Sequence, residues 1–431
     1  MLIFIENTPR AYAWGSRDAL AELLGTPATG EPQAELWLGA HPGNPATIAK
    51  ASPARQSLIE LIDSDPERYG FDGGQLPFLL KVLAIGAPLS LQVHPNRAQA
   101  IAGFAAEDRA GVARDARERN YGDPNHKPEL LVAVSEVTAL SGFRSLTDAR
   151  HDLLALAAQC RGRASEVLVG VADRLAGHDA PALRRAFLDW SFSGDPLVAA
   201  ALAALASAVE QGDVSDDTGI ALEVDPERVA VLRALAATHA GDPGILVSLL
   251  LHVVRLAPGE AIYLAAGQLH AYLGGVGVEV MAASDNVLRA GLTEKHVDIA
   301  ELCRIVDTAE LDAPRFPAIA PVPGLRAWRP PVADFQLLRA RLHDELDPDA
   351  HGALPGSAPT VEVPATHPLV LVVTAGRVRI ERTAGLEEVA SARRGQSLYV
   401  SAGEPIHLTG AGEVFLATVG EPLADDDHPD R

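Results

Sequence analysis

The sequence predicts a mainly β protein carrying an α-helical insertion, built from jelly-roll barrels: a metal-binding central barrel and a second, C-terminal barrel. Three observations lead there. First, short apolar runs bounded by Gly and Pro turns fill residues 1–145 and again the stretch after 245, as strands do. Second, between Ser145 and about Ala240 the composition shifts to Ala and Leu at helical spacing. Third, Gly259-Glu-Ala-Ile-Tyr-Leu-Ala-Ala-Gly267 is echoed by Gly395-Gln-Ser-Leu-Tyr-Val-Ser-Ala-Gly403. Each copy is followed by a histidine, His270 and His407, with the spacing differing by one residue. Such a repeat of strand, turn and strand is the pattern of a jelly roll.

Taken in order, the first part holds turn-bounded aromatic stretches at Tyr12–Gly15 and Glu35–Pro42, and buried strands at Leu76–Leu83, Pro88–Val93 and Leu130–Leu140. The insertion, residues 146–240, reads as five or so helices with starts at Asp148, Ser165, Asp195-Pro196 and Asp225-Pro226. It shows no polar constellation, which suits a structural or lid role. Strands resume at Ile245–Leu256 and run to about Val280, and a short helix follows near Glu294–Ile305. Proline-rich sequence from Ala313 to Pro331 marks a strand-free crossing. The C-terminal part is again β-rich, at Leu369–Val373, Arg377–Glu381, Ser397–Val400 and Val414–Val419. The domain division expected is therefore 1–145 with 241–312, then 146–240, then 313–423, with 424–431 a disordered acidic tail.

Composition narrows the function classes. A chain of 431 residues exceeds one ordinary core. The formal charge of −21 argues against nucleic acid, whose phosphates require a basic face. No apolar run is long enough to span a membrane, and Met1–Glu6 does not read as a signal peptide. Two cysteines, Cys160 and Cys303, form no disulfide framework, so a cytoplasmic location is expected. Lysine occurs four times, at Lys50, Lys81, Lys127 and Lys295, and three of these flank the motifs described next. That placement predicts a cationic pocket inside an acidic protein, because an ammonium is not interchangeable with a guanidinium.

The motifs carry the chemistry. In Leu89-Ser-Leu-Gln-Val-His-Pro95 and Asn125-His-Lys-Pro-Glu-Leu130, chemically active side chains stand two residues apart. On a strand, positions i and i+2 share a face, so Gln92 looks the same way as His94, and Lys127 the same way as Glu129. His270 adds an imidazole just after a strand and turn. Imidazole, carboxylate and amide oxygen on converging strands suit a divalent metal with an open coordination position. A glutamine ligand is unusual for zinc, and a bare Gln-x-His pair is more often a satisfied core pair. His126 falls on the face opposite Lys127 and Glu129 and reads as a hydrogen-bonded support. His41 is a candidate pocket residue, while His252, His296 and His407 read as ordinary histidines. Gly274, Gly275 and Gly277 lack a nucleotide-binding pattern and read as a turn beside the pocket.

With these motifs in view, the sequence resembles one family, the type I mannose-6-phosphate isomerases, zinc enzymes of the cupin superfamily. The resemblance rests on Tyr121-Gly-Asp-Pro-Asn-His-Lys-Pro-Glu129 and on the run from His270 through Glu279, Ser284-Asp-Asn-Val-Leu-Arg289 and Ala-Gly-Leu-Thr-Glu-Lys295. Leu76-Pro-Phe-Leu-Leu-Lys81 and Trp37–Pro42 agree as well. It is firm over the N-terminal part and residues 245–300, and only in outline elsewhere.

The resemblance implies one zinc ion held by Gln92, His94, Glu129 and His270, with no departure at those positions. It implies catalysis by Arg289, oriented by Asp285 or Glu279. Lys127 is a candidate base, with metal-bound hydroxide, Glu279 and His41 as rivals. A phosphosugar substrate would meet Glu279 and Asp285, and its phosphate Lys81, Ser90 or Lys295. The implied reaction is aldose–ketose isomerisation of mannose 6-phosphate and fructose 6-phosphate through a cis-enediol. Isomerisation of another phosphosugar, and sugar binding without catalysis, stay open alongside it. Oligomeric state is unknown from sequence.

Overall fold

The computed structural model describes residues 1–49, 56–211, 224–312, 314–343, 356–382 and 388–420. Lys50 and the acidic tail 424–431 fall outside them. The described strands form two nine-stranded sheets.

The first sheet is organised around one long strand, His270–Ala282. Its beginning pairs with Gln92–Val93 and Val137–Phe143, and its end with Phe78–Ile85 and Glu129–Ala133. The change of partners happens at a bulge between Tyr272 and Gly274. There the glycine cluster lies inside the strand instead of forming the expected turn. Gly275 adopts φ +109°, and a Cβ on it would stand 2.1 Å from the Glu136 carbonyl oxygen, so only glycine fits. A bulge reverses the in–out alternation downstream of it. Glu279, an odd number of positions from His270, therefore faces the same cavity as His270 and Tyr272.

The second sheet runs in the order Leu325–Trp328, Gln336–Leu342, Ile406–Thr418, Leu369–Arg382, Ser397–Val400, Leu2–Glu6, Thr47–Ile48. The first strand of the chain thus lies antiparallel to Ser397–Val400, in the sheet where the described chain ends. The proline-rich crossing is not strand-free, because Leu325–Trp328 forms its edge. Both glycines that open the repeated pattern have positive φ, Gly259 at +92° and Gly395 at +83°. Each copy leads into a strand of 13 residues, His270–Ala282 and Ile406–Thr418.

Among the described residues six helices, from Leu146–Gln159 to Gly244–Ser248, are inserted between Val137–Phe143 and Leu251–Leu256, two strands that pair with each other. Asp225 caps one helix start as expected, through the Glu227 N–H, whereas Ser145 caps the first where Asp148 was expected. Three strand expectations fail locally. Of Pro88–Val93, only Gln92–Val93 is a strand. Leu130–Leu140 is two strands, Glu129–Ala133 and Val137–Phe143, parted at Ser135, whose hydroxyl accepts the Val276 N–H. Ile245–Leu256 begins as the helix Gly244–Ser248, since a run buried on every side has no period that separates helix from strand. The insertion does hold a buried polar group: Asp152 binds Arg144 at 2.6 Å and Arg228 at 3.1 Å, and Arg228 also donates to the Leu251 carbonyl.

The helical core is continuous with Val93, Leu140 and Phe143 of the first sheet and with Leu91 and Tyr121 of its connecting segments. A second core joins the two sheets, with Leu80, Val132 and Val278 against Trp328, Phe335, Tyr399 and Phe415. At the rim of that junction Asp334 binds His126 Nε2 at 2.8 Å and Arg97 at 3.4 Å. His126 is hydrogen-bonded as a support, as expected, although it lies ahead of the strand Glu129–Ala133 and not on it. Among the described residues no single helix is long and apolar enough to cross a membrane.

Candidate metal centre

Gln92, Glu129 and His270 on their strands, and Lys127 just ahead of one, line one cavity, shared with Lys81, Tyr272, Glu279 and Glu35. Register brings the donors together: Gln92 lies opposite His270 on one side and opposite Arg289 on the other. The nitrogen and oxygen donors of His94, Glu129 and His270 all fall within 4.8 Å of one another. Glu129 Oε1 is 3.3 Å from His94 Nε2, and its Oε2 is 3.6 Å from His270 Nε2. Donors about 2.1 Å from a tetrahedral zinc stand roughly 3.4 Å apart, so these gaps match a shared ion.

Protonation makes the same point. His94 Nδ1–H donates to the Asn286 carbonyl at 2.8 Å, and His270 Nδ1–H to the Gln268 carbonyl at 2.9 Å. Each ring then presents the lone pair of Nε2 to the cavity. His94 Nε2 is fully buried and has no hydrogen-bond partner among the described residues. Burial, only partly offset by Glu129, pushes His94 down to about 4, so the ring is neutral. A lone pair facing a carboxylate oxygen at 3.3 Å is repulsive until a cation sits between them. Burial by itself would raise the Glu129 carboxyl, but the Lys127 ammonium, 2.9 Å away, holds it well below the usual range. The residues present fit a divalent ion. Gln92, whose Nε2 donates to Ser90 Oγ at 3.2 Å, keeps its amide oxygen available beside them.

A buried charge ladder forms the opposite wall. Trp37, Lys81 and Glu279 face one another across three strands. Lys81 Nζ lies 3.6 Å from Glu279, 3.8 Å from Glu35 and 4.8 Å from the centre of the Trp37 ring. Burial opposes its charge, but Glu35 and Glu279 overcome that and raise Lys81 above the ordinary lysine value. Burial and the Glu129 charge push Glu279 up to about 7, against the pull of Lys81 and Lys127.

Not every expected residue reaches the cavity. Arg289 lines an adjoining cleft with Asp285, Asn120, Arg114 and Arg119. Burial lowers its guanidinium, and burial together with Arg289 lowers Lys295 at the exposed rim. The loop carrying both is pinned from the turn before the helix Gly244–Ser248: the Asp242 carboxylate accepts N–H bonds from Leu292 at 2.8 Å and Thr293 at 3.1 Å. Leu292 is held there at φ +54°, a strained position for a side chain with a Cβ. His41 is buried against the edge of Trp37 and lies 3.4 Å from Asp285. His252 Nε2–H donates to the Leu311 carbonyl at 2.6 Å, away from the cavity.

Sequence reasoning passed over Glu35, Tyr272 and Asn286. Glu35 had a signal, since Glu35 and Trp37 repeat the i, i+2 spacing of the other motifs, and the Trp37 indole N–H donates to Glu35. Asn286 had none, because its role is set by loop contacts distant in sequence.

The comparisons with known proteins agree with this geometry. Residues 2–146 match the model of the phosphomannose isomerase type I catalytic domain. The chain is 41% identical over 304 residues to a mannose-6-phosphate isomerase of Escherichia coli, covering 69% of this chain and 72% of that one. It is 28% identical to the Homo sapiens mannose-6-phosphate isomerase, covering 92% of each. Among solved structures, mannose 6-phosphate isomerase bound with zinc and yttrium superposes with a TM-score of 0.80 at 31% identity, over 97% of this chain and 100% of that one. A zinc-bound holo form of mannose 6-phosphate isomerase gives 0.79 at 31% identity and the same coverage.

Proposed function

The chain belongs to the mannose-6-phosphate isomerase family, and from that premise we propose that it interconverts D-mannose 6-phosphate and D-fructose 6-phosphate, with one zinc ion as cofactor. The observation that carries the reading is the unpartnered Nε2 of His94 facing the Glu129 carboxylate in a cavity walled by Lys81, Lys127 and Glu279. We assign Gln92, His94, Glu129 and His270 to the metal. When bound there, zinc supplies Lewis-acid stabilisation of negative charge on the sugar oxygens.

The remaining work falls to the protein. The reaction moves a proton between C1 and C2 through a cis-enediol. Lys127 and Glu279 are the candidates to carry it. Glu279 is favoured by a carboxyl near 7, which gives and takes protons at neutral pH. Lys81, held protonated, is suited to fixing an anionic oxygen and not to acting as a base. Arg289 would meet negative charge from the adjoining cleft as an always-charged fork, with Asp285 beside it. Ser90 and Lys295 complete the substrate-binding group, with the phosphate held away from the metal so that remote binding orients the reacting carbons.

The catalytic unit is taken as 1–145 with 241–312, less the strands Leu2–Glu6 and Thr47–Ile48, which serve the C-terminal sheet. Two free cysteines support a cytoplasmic setting. A coupled assay supplying mannose 6-phosphate, with and without chelator, tests the reading. Activity that is lost on metal removal and restored by zinc is expected, and activity that survives complete removal contradicts it.

A further inference from the structure

Asn286 is wholly buried, and both ends of its side-chain amide are saturated. Its Oδ1 accepts the Gly122 N–H at 2.8 Å and the Asp123 N–H at 3.3 Å. Its Nδ2 donates to the Asp123 carbonyl at 2.8 Å and to the Asn125 carbonyl at 2.7 Å. Its own backbone carbonyl accepts His94 Nδ1–H. One residue thus grips the loop that leads into Lys127 and Glu129 with its side chain, and His94 with its main chain. Ser284 braces the arrangement: its hydroxyl accepts the Asn286 N–H at 3.2 Å and donates to the Asp123 carboxylate at 2.9 Å.

We propose that Asn286 is a positioning residue for the metal centre, fixing the tautomer and direction of His94 and setting the distance from His94 to the segment that carries Glu129. The inference rests on the metal reading given above. A saturated buried amide has one register, because shifting either backbone segment would strand a buried donor or acceptor. The carbonyl that holds His94 is thereby fixed relative to the Asn125–Glu129 segment, so the separation of His94 Nε2 from Glu129 does not drift when the ion leaves.

The test is zinc affinity, measured on the purified full chain by competition with a chromophoric chelator, for wild type, Asn286→Ala and Asn286→Asp. The aspartate keeps the shape but turns an oxygen onto the Asp123 and Asn125 carbonyls. Loss of such an outer partner is expected to weaken zinc by about 10- to 100-fold. At saturating zinc, KM for mannose 6-phosphate is expected to stay near wild type while kcat falls, a split that general loosening of the fold would not give. If the Asn286 variants do not fold, Ser284→Ala decides, with a smaller weakening in the same direction expected. Unchanged zinc affinity in the folded variants overturns the proposal. Wild type that binds no zinc overturns the metal reading itself, which separates the two failures.

Discussion

His270 and His407 follow matching copies of one strand–turn–strand pattern, yet their surroundings are opposite. His270 is buried and faces Glu129 across the cavity of the first sheet. His407 is partly exposed and pairs at 3.2 Å with Glu362, itself exposed. The difference lies in what fills each interior. In the C-terminal sheet the enclosed side chains are Leu371, Val373, Leu398, Val400, Leu408 and Leu416, a closed aliphatic core. In the first sheet the corresponding space admits Lys81, Glu129, Glu279 and His270. A shared backbone pattern supports either interior, and the inward polar pairs at i and i+2 decide which sheet has chemistry. The solid sheet still contributes, through the shared core and through Asp334 on His126 and Arg97.

The contrast can be broken most severely by Glu129→Gln, which removes the charge that balances the metal. Zinc content is expected to fall to background and mannose 6-phosphate turnover with it, read by elemental analysis and the coupled assay. Next, Glu279→Gln is expected to lower kcat by about 10²- to 10⁴-fold. It also sharpens the pH argument. The Glu279 carboxyl is raised to about 7, so its base form is present above that pH and lost below it. The wild-type kcat profile should climb as pH rises through about 7, and that limb should vanish in the variant. Arg289→Lys keeps the charge but loses the fork, and a loss of about 10²-fold in kcat/KM is expected. Lys81→Met is expected to raise KM by about tenfold to a hundredfold with a smaller effect on kcat, given what a charged hydrogen bond contributes. The reverse split would place Lys81 in the proton transfer. At the small end, His407→Gln in the solid sheet is expected to leave zinc content and kcat unchanged and stability within about 0.5 kcal/mol, by thermal unfolding.

Much of this site was legible because strand geometry is local. Spacing alone paired Gln92 with His94 and Lys127 with Glu129, and the structure turns Gln92, Lys127 and Glu129 into one cavity beside His94. The facing of Glu279 was hidden, since simple alternation from His270 points it outward and only the bulge at Tyr272 brings it in. The sheet membership of Leu2–Glu6 was hidden for another reason: its partner lies some four hundred residues on, at Ser397–Val400, and nothing in either strand specifies the other. The Ile245–Leu256 run misled because uniform burial erases the period that distinguishes helix from strand. Asn286 could not be read at all, because an amide becomes a clamp only through carbonyls and N–H groups that folding delivers to it.

The most direct measurement is zinc stoichiometry on the intact protein, paired with mannose 6-phosphate turnover, for wild type and for His94→Ala and His407→Ala side by side. The account predicts one zinc per chain and full turnover in wild type and His407→Ala, and neither in His94→Ala. Retention of stoichiometric zinc by His94→Ala, or its loss from His407→Ala, would contradict it.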